Sequence, residues 1–588
     1  MFKKANISYL NYFPFRWLIK QISLWLASLF LVLASIIVLG STVHAYIPPV
    51  GIPNPPFGIA ETAPVAPNPW TLPTPGFYFV CTSCAGATDS NNLYGTPALP
   101  RKSPPKPIPE GSVVEMHGNI YRDCSGICSY TNPNIITANG TSTSPVFIRG
   151  VSDSEKPKII ANMQVKGTYA IFENLEFADA DGDLSGGSSG SFVIVSPSDH
   201  LALRFSDAHG NLVGGGVEIA SSDTNRISNI LVYSNYIHDN GDIATTIDQD
   251  VHCVGIGHAD NVWVLDNELA RCSGDGIQVN GGSKADSDSV TSRTHHIYFG
   301  GNTSHHHKQT GFWTKQATDV VFSRNTAYGI VPSPSSSGGN CAGYQYGPER
   351  VWFLYNNLYD CHTGIGGAST SGPDGDGFGQ NLYFIGNVIH GIHSPAFDPN
   401  NAYSNGAAMT TWGGRNRYVI NNTFYDVDAG VNSPDSGSFF MANNIIAGLG
   451  AGSDIFLASS INAANSTVDN FLFGGGFKTI WGANTYTSLA TFQSATSKGA
   501  NSLNADPLFV NSSANDFHLQ SGSSAVNAGL VSSVYQTFQN IYGLSIAVDF
   551  DKVTRPQGLA WDIGAYEYVS GAQQDTTPPA APTGLAVN

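Results

Sequence analysis

A short motif recurs along the middle of the chain and constrains its fold more than any other feature. Six windows share the pattern apolar-x-apolar-x-x-Asn, and they end at Asn235, Asn267, Asn302, Asn325, Asn356 and Asn387. Looser copies end at Asn422 and Asn444. The alternation of apolar and other residues predicts a short strand in each window. The spacings fit a structural repeat of about 22 residues, with loop insertions in some turns.

Repeated strands of this kind predict a solenoid whose coils stack and bury their apolar faces on one another. No helical pattern separates the strands, so the fold class that we expect is all-β, a right-handed parallel β-helix. The composition agrees, because only 12% of the residues are charged and 64 are glycine, which suits short strands joined by turns. An asparagine at one place per coil can adopt the left-handed conformation of a bend, and its side chain can hydrogen-bond along the stack.

The two ends of the chain differ from the repeat. Residues 1–45 join basic residues to a long apolar run and a small-residue cleavage pattern, which predicts an export signal or an uncleaved membrane anchor. Residues 46–76 are rich in proline and predict an extended spacer. We expect the β-helix over residues 77–500, its closing region over residues 501–570, and a Pro/Thr-rich linker over residues 571–588.

The export signal predicts a secreted or cell-surface protein, with a membrane contact only through an uncleaved N-terminal segment. Eight cysteines fit that location, and they lie in close pairs that suit disulfides: Cys81/Cys84, Cys124/Cys128, Cys253/Cys272 and Cys341/Cys361. The formal net charge of −17 argues against nucleic acid as a partner. The sequence gives no oligomeric state.

Two parts of the chain resemble known extracellular proteins. Residues 77–178, with "GSVVEMHGNIY", "SPVFIRGVS" and "YAIFENLEF", resemble the opening coils of right-handed parallel β-helix proteins of the pectate lyase-like superfamily. Residues 506–529 and "DIGAYEY" at 562–568 resemble the closing region of choice-of-anchor-type β-helix proteins. The resemblance implies the fold and an extracellular polysaccharide as partner. It leaves the activity open, because this architecture hosts lyases, hydrolases, epimerases and adhesins.

Aligning the coils on the repeated asparagine places a column of mostly ring-bearing residues three positions after it. The column contains His238, Ala270, His305, Tyr328, Tyr359, His390 and Tyr425. Rings at one register predict stacking along the solenoid, so the triplet of histidines that starts at His305 begins with a structural residue.

A second alignment predicts an outward-facing polar surface. The stretch "TGFWTKQ" aligns with "GDGIQVN" on the preceding coil, which turns Phe312 inward and places Trp313 and Lys315 outward. Their expected neighbours on the preceding coil are Gln278 and Asn280. An outward tryptophan is a suitable platform for a sugar ring, so we predict that these polar and aromatic side chains bind substrate.

Carboxylates lie on the same predicted surface, at Asp248, Asp250 and Asp275. Carboxylate oxygens suit Ca²⁺, and a lysine with a lowered pKa can remove the C5 proton of a uronic acid in β-elimination. The strands "GDGIQV" and "TGFWTK" are similar to "DDGFD" and "GNGFK" of the family 9 pectate lyases. That resemblance implies Asp275 as a calcium ligand and Lys315 as the base.

The match to that family is incomplete. Gly274 stands in place of the first aspartate of the doublet, Gln278 stands near the later one, and the lysine comes two residues later than in the family. Arg271 and Lys308, in the adjoining bends, are further catalytic candidates that could bind a substrate carboxylate.

These observations predict a lyase that cleaves a uronate-containing glycan, with calcium held by the three aspartates. A glycoside hydrolase that uses two of those aspartates as acid and base is one alternative. A non-catalytic carbohydrate-binding or adhesive module is the other.

Overall fold

The computed structural model describes residues 46–118, 134–152, 154–160, 163–178, 191–221, 225–244, 249–281, 294–333, 338–368, 379–401, 403–450 and 455–571. Residues 1–47 and residues 48–588 form two compact units, and the second contains every strand given below. The predicted signal, the pair Cys124/Cys128, Asp248 and residues 572–588 lie outside the described residues.

The strands, numbered in chain order, form three ladders of parallel pairs that run the length of the molecule. Ladder A contains β1 (Phe77–Val80), β2 (Val113–Met116), β4 (Val146–Arg149), β6 (Met163–Glu173), β8 (Phe192–Arg204), β11 (Ile227–Tyr233), β14 (Ala259–Leu265), β17 (His295–Gly300), β20 (Thr318–Ser323), β23 (Glu349–Leu354), β26 (Gln380–Ile385), β29 (Asn416–Ile420), β32 (Ser438–Ala442) and β35 (Thr467–Asp469).

Ladder B shares the long strands β6 and β8 with ladder A. Its other strands are β3 (Asn134–Asn139), β10 (Val217–Ala220), β13 (Val254–Gly257), β16 (Ile277–Asn280), β19 (Thr310–Lys315), β22 (Asn340–Gln345), β25 (Thr363–Ala368), β28 (Ala407–Thr411), β31 (Ala429–Asn432), β34 (Phe456–Ala458) and β37 (Thr479–Trp481), with β38 (Asn484–Tyr486) added antiparallel.

Ladder C contains β5 (Lys158–Ile160), β7 (Glu176–Ala178), β9 (Asp207–His209), β12 (Tyr236–His238), β15 (Glu268–Ala270), β18 (Thr303–His305), β21 (Thr326–Ile330), β24 (Asn357–Cys361), β27 (Val388–Ile392), β30 (Thr423–Val427), β33 (Ile445–Ala447), β36 (Leu472–Gly474) and β39 (Leu503–Asn504). The remaining elements are α1 (Leu489–Thr496), α2 (Ser533–Tyr542), two 3₁₀ turns at Ala463–Asn465 and Ser512–Ala514, and the hairpin of β40 (Phe509–Asn511) and β41 (Asp516–Leu519).

Each coil contributes one strand to ladders A, C and B in turn, as β14, β15 and β16 illustrate. The alternate residues of these strands point inward and are fully buried: Val262, Val264, Leu269, Ile277 and Val279. Burial of each such side chain stabilises the fold by roughly 1.5–3 kcal/mol. Because every coil pairs in parallel with the next, the expected parallel β-helix is confirmed.

The repeated asparagines form a continuous hydrogen-bonded ladder inside the coil. Asn356 is 2% exposed, and its Oδ1 accepts hydrogen bonds from the main-chain N–H and the Nδ2 of Asn325 at 3.0 and 3.1 Å. Its own N–H and Nδ2 donate to Oδ1 of Asn387 at 3.0 and 2.9 Å. The same contacts link the ladder from Asn235 to Asn444, so the predicted side-chain ladder is confirmed.

The prediction that these asparagines adopt the left-handed conformation is wrong. The residue just before each of them has the positive φ instead: Ser234, Asp266, Gly301, Arg324, Tyr355, Gly386, Asn421 and Asn443. The corner of the coil is made one residue earlier, and the asparagine then turns its side chain to the buried ladder. The left-handed position therefore tolerates varied side chains, whereas the ladder position holds asparagine.

The ring column expected on ladder C is also present. His305 stacks on Tyr328, Tyr328 on Tyr359, and Tyr359 on His390, each with ring centroids 5.0 Å apart. The separation is close to the spacing of neighbouring strands, so the stack follows directly from the register. At the far end, Phe517 of the closing region contacts the rings of both His390 and Tyr425.

The proline-rich segment 46–76 is not a free spacer, because much of it packs on ladder A. Trp263 Nε1 donates to the carbonyl of Pro53 at 2.9 Å, and Ser323 Oγ donates to the carbonyl of Val50 at 2.6 Å. Ile52 and Phe57 are buried. We call residues 48–61 the strap. Prolines suit this extended path, since the segment bonds to the coils through carbonyl groups and needs few of its own N–H donors.

Helix α1, just before the closing region, caps the end of the core, and the closing region then returns along ladder A. Phe492 of α1 joins the apolar core, whereas Tyr542 of α2 accepts a hydrogen bond from Trp352 Nε1 at 3.1 Å. Arg555 and Glu567 form an ion pair at 2.7 Å in which both side chains are fully buried. Gly51 of the strap (φ 84°) lies against Phe538 of α2, so the strap and the closing region meet.

Disulfides join Cys81 to Cys84, Cys253 to Cys272, and Cys341 to Cys361. The last two each join neighbouring coils, since Cys253 and Cys341 lie just before or within a strand of ladder B, whereas Cys272 and Cys361 lie just after or at the end of a ladder C strand on the next coil. Disulfides suit an oxidising compartment. Within the described residues, no helix has the length and apolar character needed to span a bilayer.

The asparagine ladder predicts a large loss of stability on a small truncation. In Asn356→Ala the main-chain N–H of Asn325 loses its acceptor inside the coil, and an orphaned buried donor costs about 1–3 kcal/mol. We expect the free energy of unfolding, from urea denaturation, to fall by about 3 kcal/mol. The exposed Asn484→Ala should change it by less than about 0.5 kcal/mol. Equal effects of the two variants would contradict a structural ladder.

A second prediction concerns His518 in the closing region, which contacts Asp516 at 2.6 Å and Asp551 at 2.5 Å. Burial alone would lower its pKa, but the two carboxylates outweigh burial and raise the pKa to about 9. The stabilisation is therefore complete below the unfolded pKa of about 6.5 and is lost as the pH rises through about 9. Urea midpoints should fall over that interval, and His518→Gln should flatten the fall. An unchanged pH profile in the variant would rule this out.

Candidate functional site

The polar surface predicted from the sequence lies on the outer face of ladder B. The pairs Gln278–Trp313 and Asn280–Lys315 are in register on β16 and β19, as expected. Phe312 points into the core and is 1% exposed. Lys315 is partly exposed and Asn280 is exposed, so this part of the face is open to solvent.

Asp275 is the buried centre of this surface. Its side chain is 2% exposed, and Thr310 Oγ1 donates to Oδ1 at 2.5 Å while Gln278 Nε2 lies 2.8 Å from Oδ2. Burial raises the pKa of Asp275 above its ordinary value, and His252, the Thr310 hydrogen bond and Lys315 oppose that rise. The buried carboxyl therefore favours its protonated form more than an exposed aspartate does.

His252 lies one coil before Asp275 and completes the polar network. Its Nδ1 accepts from the main-chain N–H of Asp275 at 3.1 Å, and its Nε2 lies 2.7 Å from the amide of Gln278. A neutral ring with an accepting Nδ1 carries its proton on Nε2. The oxygen and nitrogen of the Gln278 side-chain amide can be exchanged by rotating the amide. In the rotated form, Gln278 Oε1 can accept a hydrogen bond from His252 Nε2–H and another from the carboxyl group of Asp275 when that group is protonated.

Asp250 brings a second carboxylate to the same place. Its side chain is 58% exposed and lies 3.9 Å from His252 Nε2. Ligand atoms of Asp250, His252 and Asp275 all lie within 4.8 Å of one another. The structure therefore brings together two of the three predicted aspartates, and it adds a histidine that the sequence analysis had not assigned to the site.

Glu218 also belongs to this surface, and the sequence analysis missed it. The residue pairs with Gly255 on the next coil, and its Oε2 lies 2.3 Å from where a Cβ on Gly255 would stand. Burial raises the pKa of Glu218, and His252 opposes the rise. Extending the alignment by two coils to "VEIA" would have revealed the residue, because it occupies the register of Gln278 and Trp313.

Trp313 points outward as expected, but it does not form an open platform. The side chain is 6% exposed, and its ring covers Gly343 on the following coil, where a Cβ would stand 2.1 Å from the ring. Its Nε1 donates to Gln345 Oε1 at 3.4 Å. The flat surface expected for a sugar ring is therefore turned against the protein.

Arg271 and Lys308, the two further candidates for binding a substrate carboxylate, each form hydrogen bonds with other groups of the protein. Arg271 forms hydrogen bonds of 2.6 and 2.7 Å with Asp239, and these lower the pKa of that aspartate to about 2. The same guanidinium donates to Tyr236 on ladder C. Lys308 is 9% exposed, and its Nζ donates to the carbonyl of Asp242 at 3.4 Å. The structure thus gives Arg271 and Lys308 local partners.

The described residues do not fit Ca²⁺ well. Calcium takes six to eight oxygen ligands, whereas this cluster offers two carboxylates and an imidazole nitrogen, and the buried carboxylate already accepts from Thr310. Asp248 lies outside the described residues. Calcium binding stays a prediction from the sequence, and we route no chemical step through the ion.

The disulfide between Cys253 and Cys272 joins the two neighbouring coils that carry His252 and Asp275. Cys253 follows His252 directly, and Cys272 lies three residues before Asp275. His307 lies beside this disulfide, and burial lowers its pKa to about 3. Because both sulfurs are bonded to each other, this group is structural, and it holds the histidine and the buried aspartate in register.

Comparison with known proteins found matches at the level of solved structures only. A scan against protein-family models and a search of curated proteins each gave no match. Pectate lyase Pel9A is 14% identical over 84% of this chain and 96% of its own, with a TM-score of 0.37. The GH136 lacto-N-biosidase from Eubacterium ramulus is 13% identical over 67% of each chain, with a TM-score of 0.40.

The A-module of mannuronan C-5 epimerase AlgE4 from Azotobacter vinelandii is 14% identical over 56% of this chain and 91% of its own, with a TM-score of 0.35. Matches this distant carry no argument of their own, and the parallel β-helix rests on the strand pairing. They assign no activity and no residue role to this chain.

Proposed function

We propose that this protein is an extracellular polysaccharide-active enzyme that cleaves a uronate-containing glycan by β-elimination on the outer face of ladder B. The observation that carries the proposal is the placement of Lys315. The lysine stands on the open side of the face, one coil beyond Asp275, and its charge acts on that buried carboxyl. The disulfides in the described part of the chain suit the oxidising environment of an exported enzyme.

The proposed reaction needs a base and a means of stabilising charge. Lys315 Nζ, as the base, takes the proton from C5 of the uronate, the electron pair forms the C4–C5 double bond, and the C4–O4 bond breaks. The leaving O4 takes a proton from solvent water, and Lys315 later releases the C5 proton to solvent, so that atoms and charges balance. The amide of Asn280 is a polar donor that the same face offers to the substrate carboxylate as negative charge develops on it.

The substrate contacts in this proposal differ from those expected from the sequence. Asn280 and Gln278 stay as substrate-binding candidates, because they lie in register beside Lys315 and Trp313. Trp313 packs on Gly343 of the following coil and so supports this face of ladder B. Arg271 is left out, since its guanidinium is held by Asp239.

A glycoside hydrolase remains the second candidate because of one observation. Asp250 and Asp275 place carboxylate oxygens within 4.8 Å of each other, near the separation of about 5–5.5 Å in retaining glycosidases. Asp275 is only 1% exposed, however, and its hydrogen bonds with Thr310 and Gln278 hold it below the surface. Such an acid does not reach a glycosidic oxygen, so the geometry favours the lysine-based elimination.

The first test of the proposal is the substitution Lys315→Ala, assayed by the ultraviolet absorbance of the unsaturated product on a panel of uronate glycans. Loss of a general base should lower the rate by roughly 100-fold or more. The exposed Lys102→Ala serves as the matched control and should keep the wild-type rate. Equal urea midpoints for the two variants establish that folding is intact. Full elimination activity in Lys315→Ala would remove the lysine from the mechanism.

The same assay in EGTA, with and without added Ca²⁺, tests the predicted calcium ion.

The second test separates the lyase from the hydrolase and from a non-catalytic module. We expect new reducing ends to appear together with the unsaturated product, and we expect Asp250→Asn to reduce the rate less than Lys315→Ala does. Reducing ends without absorbance, abolished by Asp250→Asn, would establish a hydrolase instead. Retained glycan binding with neither product would favour the adhesive module.

A further inference from the structure

The ring column of ladder C stops after Tyr425. On the next two coils the same register holds Ala447 and Gly474. Ala505 continues it on a third coil, since Asn504 pairs with Phe473. Rings fill this column from His305 to His390 at 5.0 Å intervals, whereas these three successive small residues line an open space.

That space is a cleft between ladder C and the β40–β41 hairpin of the closing region. Its volume is about 660 Å³, within the range of roughly 300–1,000 Å³ that small-molecule sites occupy. The cleft lies on a different ladder from the surface around Asp275. Gly474 must be small because Pro507 packs against it, but a Cβ on Gly475 would meet open space. Packing within the protein therefore does not fill the cleft.

The walls combine aromatic surface with hydrogen-bonding groups. Tyr425 and Phe509 supply partly exposed rings, and the Tyr425 hydroxyl donates to Ser512 at 3.2 Å. Gln520 donates through Nε2 to the carbonyl of Phe509 at 2.8 Å, and Asp506 Oδ1 accepts from the N–H of Leu508 at 2.9 Å. Among the residues that the structure describes, Gln520 Oε1 and Asp506 Oδ2 make no hydrogen bond, so both can accept from a ligand hydroxyl.

The charge of the lining restricts the ligand. Asp506 is the only acidic side chain that lines the cleft in the described part of the chain, and no lysine, arginine or histidine lines it. A carboxylate-bearing sugar would enter beside an uncompensated negative charge. A neutral ring with hydroxyl groups meets no such repulsion, and it can place an apolar face on Tyr425 or Phe509 while its hydroxyls reach the acceptors.

We propose that this cleft is a second glycan-binding site, which takes a neutral glycosyl unit of the polysaccharide. The proposal rests on the proposed function only in that the ligand is a polysaccharide, and it does not depend on elimination chemistry. A site on ladder C would hold one stretch of a mixed glycan while the uronate on another stretch meets Lys315 on ladder B. The cleft thereby selects polymers that carry neutral sugars as well as uronates.

Calorimetric titration with neutral and uronate oligosaccharides tests the site directly. The neutral probes are cello-, xylo-, galacto- and manno-oligosaccharides, and we expect at least one to bind the full chain. Ala505→Trp fills the open column without removing a ligand contact, and Tyr425→Ala removes the ring. Each should weaken binding of that probe by about tenfold or more. The exposed Ala495→Trp on α1 is the matched control and should bind as the wild type does.

The outcomes keep the two proposals separate. Lys315→Ala should bind the neutral probe with unchanged affinity, whatever its effect on elimination. Absence of binding by every neutral probe would overturn the second site, as would wild-type affinity in Ala505→Trp. Tighter binding of uronate than of neutral oligosaccharides, abolished by Ala505→Trp, would also overturn it, because the ligand class would be wrong.

Discussion

The pairing of each coil with the next, in one fixed register, is the constraint on which the rest of this structure depends. Parallel strands supply main-chain hydrogen bonds between coils, but a slip by one residue would exchange the buried and exposed faces of every strand. The asparagine ladder resists that slip. Asn325, Asn356 and Asn387 each use Oδ1 on two donors of the neighbouring coil, and a displaced asparagine would leave those donors buried and unpaired.

The candidate site is a direct product of this register. His252 and Asp275 are 23 residues apart in the sequence, yet they become neighbours because they occupy the same position on adjacent coils. The disulfide between Cys253 and Cys272 joins the two coils that carry these residues. Stacking also determines how far each outward polar side chain is exposed to water, because residues on the preceding and following coils cover it. Asp275 is desolvated for that reason, whereas Lys315, further along its strand, keeps contact with water.

Structural features that repeat in every coil could be predicted from the sequence. Features that depend on a contact found in one coil only could not. The strand register, the ladder and the ring column all repeat, so a single alignment was sufficient. The burial of Trp313 depends on Gly343 of a later coil, and the pairing of Arg271 depends on Asp239 across the bend. The strap was misjudged for another reason. Proline-rich composition predicts an extended path, but it does not reveal that the path follows a sheet.

The same stacking that builds the core also determines where the surface can open. A column of identical rings leaves no gap along the solenoid, and a column of large polar residues closes over its neighbours, as Trp313 does over Gly343. An opening therefore requires a change of side-chain size within one column. Ladder C shows such a change after Tyr425, where alanine and glycine replace rings. On ladder B the glycines at 255 and 257 precede Gln278 and Asn280 in the same columns. Both candidate sites thus lie where side-chain size changes within a column of the solenoid, from large to small on ladder C and from small to large on ladder B.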